Sequence, residues 1–194
     1  MRRVKPVRSA LFVPGNREDR MLKAPRFGAD ALILDLEDAV ALPDKARSRA
    51  VVRGALEQLG KGGQTLFVRV NDLETGLTWA DLDAIVCPEL YCVMLPKVTG
   101  PEDVKKVDTI LEFLERKHGI EPGSILIDPV LETAQGMRQA YEVGIASRRV
   151  AYMGGLTGKD GDIARAIGFS WTPEGHEAFF YIAKVLLDAR AAKV

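Results

Sequence analysis

Short apolar, β-branched runs alternate with amphipathic stretches along all 194 residues, and that alternation predicts parallel strands joined by helical crossovers. Strands are expected at Ser9–Val13, Ala31–Leu36, Thr65–Val70, Cys92–Leu95, Ser124–Val130 and Val150–Met153. They are apolar at nearly every position, as strands covered on both faces should be. Helices are expected over Arg17–Phe27, Lys45–Leu59, Trp79–Ile85, Glu102–His118, Ala134–Val143 and Glu174–Ala192. Pro101-Glu-Asp103 puts a proline in a first helical turn with acids at the positive end of the dipole, and Thr172-Pro-Glu174 puts a cap residue before a proline. The pattern predicts about six βα units in a single domain, with no linker or low-complexity tract.

Two architectures share this alternation, the doubly wound sheet and the closed (β/α)₈ barrel. The first turn, Val13-Pro-Gly-Asn16, has no GxGxxG or Walker pattern. Polar and charged residues recur just beyond the C-terminal ends of several strands, where a barrel gathers its active site. A TIM-type barrel is therefore the expected fold.

Charge narrows the partners. Lys+Arg and Asp+Glu are equal at 27 each, so no net field draws the chain to nucleic acid or to an anionic membrane. Arg2, Arg3, Lys5 and Arg8 make the start locally basic, which predicts a solvated arm in preference to an anion-binding edge. Cys87 and Cys92 form no CxxC pair and have no nearby His, against zinc and against a disulfide scaffold. With no run of membrane-spanning length and no signal-peptide core, a soluble cytoplasmic protein is expected.

The chemistry-bearing residues stand at the strand ends. Asp35-Leu-Glu-Asp38 places three carboxylates where the second strand leaves the core, with Asp35 and Glu37 on one side; they suit a cation, its waters or a nearby arginine, or else a solvated acidic loop. Arg69, in Phe67-Val-Arg-Val-Asn71, is a guanidinium in an apolar strand. Burial there demands an anion, either a substrate carboxylate or an internal salt bridge. Lys97 ends the fourth strand with an ammonium group, open to a Schiff base or to balancing the acidic cluster. Glu132 and Asp162 follow the fifth and sixth strands. Two hard carboxylates facing one pocket suit Mg²⁺, while a helix-start acid at Glu132 and an N-cap at Asp162 are the plainer alternatives. Glycines 154, 155, 158 and 161 would let backbone N–H groups approach an anion.

In order and spacing, Ser9-Ala-Leu-Phe-Val-Pro-Gly15, Leu34-Asp-Leu-Glu-Asp-Ala-Val40 with Asp44-Lys-Ala-Arg47, Val68-Arg-Val-Asn71, Leu95-Pro-Lys97, Glu132-Thr-Ala134 and Gly161-Asp-Ile-Ala164 resemble the citrate lyase β-subunit-like CoA-ester lyases of the HpcH/HpaI aldolase superfamily. The resemblance spans residue 8 to about 192. It implies a homo-oligomeric TIM-type barrel that cleaves or forms the carbon–carbon bond of citryl-, malyl- or citramalyl-CoA-type thioesters, with Mg²⁺ as cofactor and an acyl-CoA and a 2-oxo or dicarboxylic acid as partners. It assigns the substrate carboxylate to Arg69 and the metal to Glu132 and Asp162, with Asp160 as a rival. Glu37 and Asp38 would line the catalytic site, and Lys97 and Gly161 would join Arg69 and Glu132 in binding substrate. A CoA-independent 2-oxo-acid aldolase, or a barrel that binds ligand without turnover, are the alternatives. A full barrel takes about 250 residues, so the family's last strands and the acidic residue they lend to acid–base chemistry are expected to be missing.

Overall fold

The computed structural model describes residues 4–155 and 161–194. The strands are β1 (Ala10–Pro14), β2 (Ala31–Asp35), β3 (Thr65–Arg69), β4 (Cys92–Leu95) and β5 (Leu126–Pro129), and they lie in the sheet in chain order, β1-β2-β3-β4-β5. β1 to β4 are paired in parallel. A doubly wound sheet reverses direction at an internal strand, whereas strictly sequential parallel order is that of a (β/α) barrel; the fold is α/β of the barrel type, as the polar strand ends predict.

The chain divides into two compact units, residues 1–94 with 109–126 and residues 95–108 with 127–194. In the first, every residue of β2 and β3 is buried, which is why those segments read as mostly apolar runs that carry charge only at their C-terminal ends, Asp35 and Arg69. Helix α1 (Glu18–Lys23) continues as a 3₁₀ turn over Ala24–Phe27. Helix α2 (Lys45–Lys61) buries Ser48, Val52, Ala55, Leu56 and Leu59, the one-sided stripe expected of a helix laid on a core. Helix α3 (Thr78–Ile85) buries Thr78, Asp81, Leu82 and Ile85. Each fully buried leucine contributes about 1.5–3 kcal/mol of transfer free energy, so Leu32, Leu34, Leu56, Leu66 and Leu82, all inaccessible, anchor this unit.

The basic start is solvent-exposed at Lys5 and Arg8, as expected, but it is also tied to the body of the protein. The Lys5 backbone N–H donates to the Tyr91 hydroxyl at 2.8 Å, its ammonium to Thr65 Oγ1 at 3.2 Å, and Arg8 forks onto Asp30. These bonds tie it to the N-terminal ends of the strands; Arg2 and Arg3 lie outside the described residues. Cys87 and Cys92 are buried thiols. No described helix is long and apolar enough to cross a membrane.

Helix α4 (Pro101–Lys117) begins at its proline as predicted. In the second unit the expected Ala134–Val143 helix is two short ones, α5 (Ala134–Arg138) and α6 (Ala140–Gly144), because Gln139 leaves helical geometry and its side-chain amide donates to the Thr99 carbonyl at 3.0 Å. The sixth strand is reduced to two parallel bridges, Ile127 with Val150 and Val130 with Gly154. Helix α7 (Asp162–Ile167) is the helix that an N-cap reading of Asp162 presupposes, in a segment where hydrophobic periodicity predicts none. Helix α8 (His176–Ala192) starts two residues later than Glu174, after Gly175 in the left-handed region, and Thr172 instead bonds the Glu177 carboxylate.

Candidate active-site residues

Register builds the first cluster. In the parallel pairing of β2 with β3, Asp35 is the direct partner of Arg69, so two residues 34 positions apart project side by side. Arg69 donates through Nε to Asp35 Oδ1 at 2.8 Å and through a terminal nitrogen to Oδ2 at 2.7 Å, and its other nitrogen lies 2.9 Å from Glu37 Oε2. Asp35, Glu37 and Arg69 are 1%, 3% and 8% exposed. The guanidinium also lies over the Phe12 ring, 5.0 Å from its centroid. Burial works to lower the Arg69 pKa, but the Asp35 hydrogen bonds and the Asp35, Glu37 and Asp38 charges more than reverse it, so the side chain stays charged. Of the two partners open to a buried arginine, the structure shows the internal salt bridge. Asp35 and Glu37 do share one side, as strand alternation requires, while Asp38 is exposed.

The acidic turn is held rigid. Asp35 accepts the N–H groups of Glu37 (2.9 Å) and Ala39 (3.1 Å), and the Lys45 ammonium donates to the carbonyls of Leu36 (2.8 Å) and Glu37 (2.7 Å). Burial draws the Lys45 pKa below its ordinary value against the pull of Asp81, Asp35, Glu37 and Asp38. The turn after β1 fits against it: Gly15 donates its N–H to the Asp35 carbonyl at 2.8 Å, and a Cβ there would stand 2.5 Å from that oxygen. The glycine of the Val13-Pro-Gly15 turn is thus fixed by a close approach of backbones.

The second unit holds the other predicted residues. Glu132, 2% exposed, accepts the backbone N–H of Lys97 on Oε1 at 2.9 Å. Lys97 adopts φ 51°, a left-handed conformation unusual for a residue with a Cβ and costing on the order of 1–3 kcal/mol. Sequence reasoning drew attention to its ammonium; the structure shows that its main chain positions Glu132. Thr133 caps α5 by accepting from Gly136 N–H at 2.9 Å and donates its hydroxyl to the Val98 carbonyl at 2.7 Å. A Cβ on Gly136 would meet that carbonyl oxygen at 2.0 Å, so the Glu132-Thr-Ala-Gln-Gly136 turn seats directly on residues 97–98.

Gly161 is the N-cap of α7 and Asp162 its first residue, so the capping role considered for Asp162 falls to its neighbour. Asp162 is ion-paired with Arg165 at 2.7 Å and its side chain is 23% exposed. Asp160 and Gly158 lie outside the described residues. Among the described residues no group of three or more His, Cys, Asp or Glu is arranged to hold a metal. The carboxylates of Glu132 and Asp162 fit the chemistry of Mg²⁺, which takes one or two protein carboxylates and completes its octahedron with water and substrate oxygens.

Sequence reasoning passed over two acids of different exposure, Asp81, which is buried, and Asp128, which is half-buried. Asp81 is fully buried on the inner face of α3; its signal was a carboxylate at helical spacing with Thr78, Leu82 and Ile85. Asp128 sits in β5 beside a cavity of about 430 Å³ that Ala151, Met153 and Leu186 also line, and burial pushes its carboxyl up to about 7. An unfolded aspartate ionises near pH ~4. Between there and about pH 7 the unfolded chain gives up a proton that the folded chain keeps, so stability falls as pH rises through that window. Asp128→Asn is expected to match wild type at about pH 4 and to exceed it by about 1–2 kcal/mol above pH ~7, after discounting for partial solvent contact. Urea melts across that range check this, and an unchanged wild-type slope in the variant would refute it.

Residues 8–194 match the HpcH/HpaI aldolase/citrate lyase family. Relatives include the (3S)-malyl-CoA thioesterase of Cereibacter sphaeroides, 32% identical over 186 residues covering 96% of this chain and 60% of that protein. Citrate lyase subunit beta of Haemophilus influenzae is 34% identical over 188 residues, covering 96% and 63%. The chain thus spans 60–63% of the length of these two relatives. Among solved structures, the citrate lyase beta subunit of Mycobacterium tuberculosis complexed with oxaloacetate and magnesium superposes with a TM-score of 0.73 at 27% identity, covering 95% of this chain and 74% of that one. Protein CitE of the same organism, in complex with magnesium, acetoacetate and coenzyme A, gives 0.71 at 26%, covering 96% and 63%. With sequential parallel strands, the buried Asp35–Arg69 pair and the Glu132 turn all falling inside the matched span, the chain belongs to the HpcH/HpaI aldolase/citrate lyase family.

Proposed function

We propose that this chain carries the acid-binding and metal-binding parts of a Mg²⁺-dependent carbon–carbon lyase acting on a citryl-, malyl- or citramalyl-CoA-type thioester. The observation that carries the reading is Glu132, a carboxylate almost fully buried beyond the end of β5 and aimed by the N–H of a residue held in a left-handed conformation. Strain of that kind is retained where surrounding structure over-determines it, as at ligand sites. The family membership and the relatives solved with magnesium, oxaloacetate and coenzyme A support the same reading.

In this reading Glu132 and Asp162 hold the ion. When bound, Mg²⁺ supplies Lewis-acid stabilisation of oxyanion charge on the acid. Arg69 takes the acid's carboxylate, and its charge is guaranteed by Asp35 and Glu37, which also fix the plane of the guanidinium before any ligand arrives. Glu37 and Asp38 serve beside Arg69, the Lys97 main chain sets the Glu132 carboxylate, and Gly161 precedes Asp162 as the N-cap of α7. Assembly with further copies of the chain and a cytoplasmic setting belong to the same reading.

The test is calorimetry of oxaloacetate with and without Mg²⁺, followed by acetyl-CoA with glyoxylate, pyruvate or oxaloacetate under turnover conditions. Mg²⁺-dependent acid binding and formation of a CoA adduct are expected. Acid binding with aldol products but no adduct would point to a CoA-independent 2-oxo-acid aldolase. Acid binding with no product would leave a binding protein, and no binding at all would end the proposal.

A further inference from the structure

The sheet ladder stops just beyond Arg69. The Arg69 carbonyl accepts Leu36 N–H at 2.8 Å and the Val70 N–H donates to the Met94 carbonyl at 3.2 Å, but the next N–H, that of Asn71, is taken by a side chain. Asp81 Oδ2 accepts both that N–H at 2.8 Å and the Asn71 side-chain amide at 2.7 Å. On Oδ1 it accepts Arg49 Nε at 2.7 Å. One helical turn earlier, the single Thr78 O–H is shared between the carbonyls of Asn71 and Asp72, each 2.9 Å away. Asn71 is thereby gripped by its N–H, its side chain and its carbonyl, all from α3.

This grip is more than the end of a strand requires. An ionised carboxylate with no solvent access costs several kcal/mol unless it is paired, and Arg49 is the pairing charge that makes Asp81 tolerable there. A capping threonine or a backbone carbonyl would satisfy one orphan N–H without a buried ion pair. What the ion pair adds is direction. A carboxylate accepts only, so it admits one orientation of the Asn71 amide and one path for the main chain two residues after Arg69.

We propose that Asp81, with Arg49 as its counter-charge, is a positioning residue: through Asn71 it fixes where β3 ends and so holds Arg69 in the place from which it takes an acid's carboxylate. The proposal rests on the function given above for Arg69. It concerns Asp81, Arg49 and Asn71, none of which contacts the ligand in that function.

The experiment measures oxaloacetate affinity in the presence of Mg²⁺, together with Tm, for wild type, Asp81→Asn and the double variant Arg49→Met with Asp81→Asn. The single variant leaves Arg49 without its carboxylate, whereas the double variant removes both charges and is the one expected to regain the wild-type Tm. Misplacing a binding group by about 1 Å costs on the order of 10–100-fold, so both variants are expected to bind at least about 10-fold more weakly than wild type. If affinity returns with Tm in the double variant, or if Asp81→Asn binds within about twofold of wild type, Asp81 is only structural and the proposal fails. Should the single variant not fold, the double variant alone decides. A wild type that binds no acid overturns the function and this inference together; a wild type that binds, beside variants that bind equally well, overturns this inference alone.

Discussion

Replacing Arg69 with methionine is expected to destabilise the fold by about 3–5 kcal/mol, the cost of leaving buried carboxylates without their counter-charge. Methionine matches the arginine stem in length, so the loss isolates the guanidinium. Asp35 and Glu37, at 1% and 3% exposure, would then lose the guanidinium that both lie against. For a chain of this size such a loss lowers Tm by roughly 10 °C. Urea unfolding at neutral pH measures it. The companion variant Arg69→Met with Asp35→Asn should recover part of the loss, because one of the two uncompensated charges is gone. A change below about 1 kcal/mol would mean that the ion pair is weak in solution, and the rigid guanidinium on which the proposed acid binding depends would go with it.

Glu132→Ala is expected to weaken Mg²⁺-promoted acid binding by more than the roughly 10–100-fold typical of residues that only orient a metal ligand. It also removes the acceptor of the Lys97 N–H, costing about 1–3 kcal/mol of stability for a donor left unpaired. Glu132→Gln separates the two effects: the amide oxygen can still accept that N–H, so stability is kept, but the charge that holds a divalent cation is lost. Calorimetric titration beside thermal melts provides both readouts. If Glu132→Gln binds oxaloacetate with Mg²⁺ as tightly as wild type, the carboxylate is a structural anchor and the metal assignment is wrong.

Much of the fold was legible because its signals are local. Runs such as residues 31–34 are buried on both faces and therefore apolar throughout. Pro101 starts α4 where proline costs least. What failed were the elements whose ends depend on distant atoms. Gln139 breaks one helix into two by reaching the Thr99 carbonyl, and the segment after β5 meets its neighbour at two bridges without a continuous ladder.

The candidate site divides along the same line. By itself the sequence determined which residue types stand at which strand ends: Asp35, Glu37 and Asp38 after β2, Arg69 at the end of β3, Lys97 after β4, Glu132 after β5 and Asp162 beyond the sixth apolar run. Period-two alternation also placed Asp35 and Glu37 on one side. Only the tertiary structure decided what each of them touches. That Asp35 pairs with Arg69 follows from interstrand register, that Glu132 is aimed by the main chain of Lys97 and not by its ammonium follows from a left-handed turn, and that Asp81 grips Asn71 follows from how α3 packs. The physical reason is range: propensity and periodicity act over a few residues, whereas the partner of a buried charge is chosen by desolvation, which makes it take whichever opposite charge the fold brings within hydrogen-bonding distance.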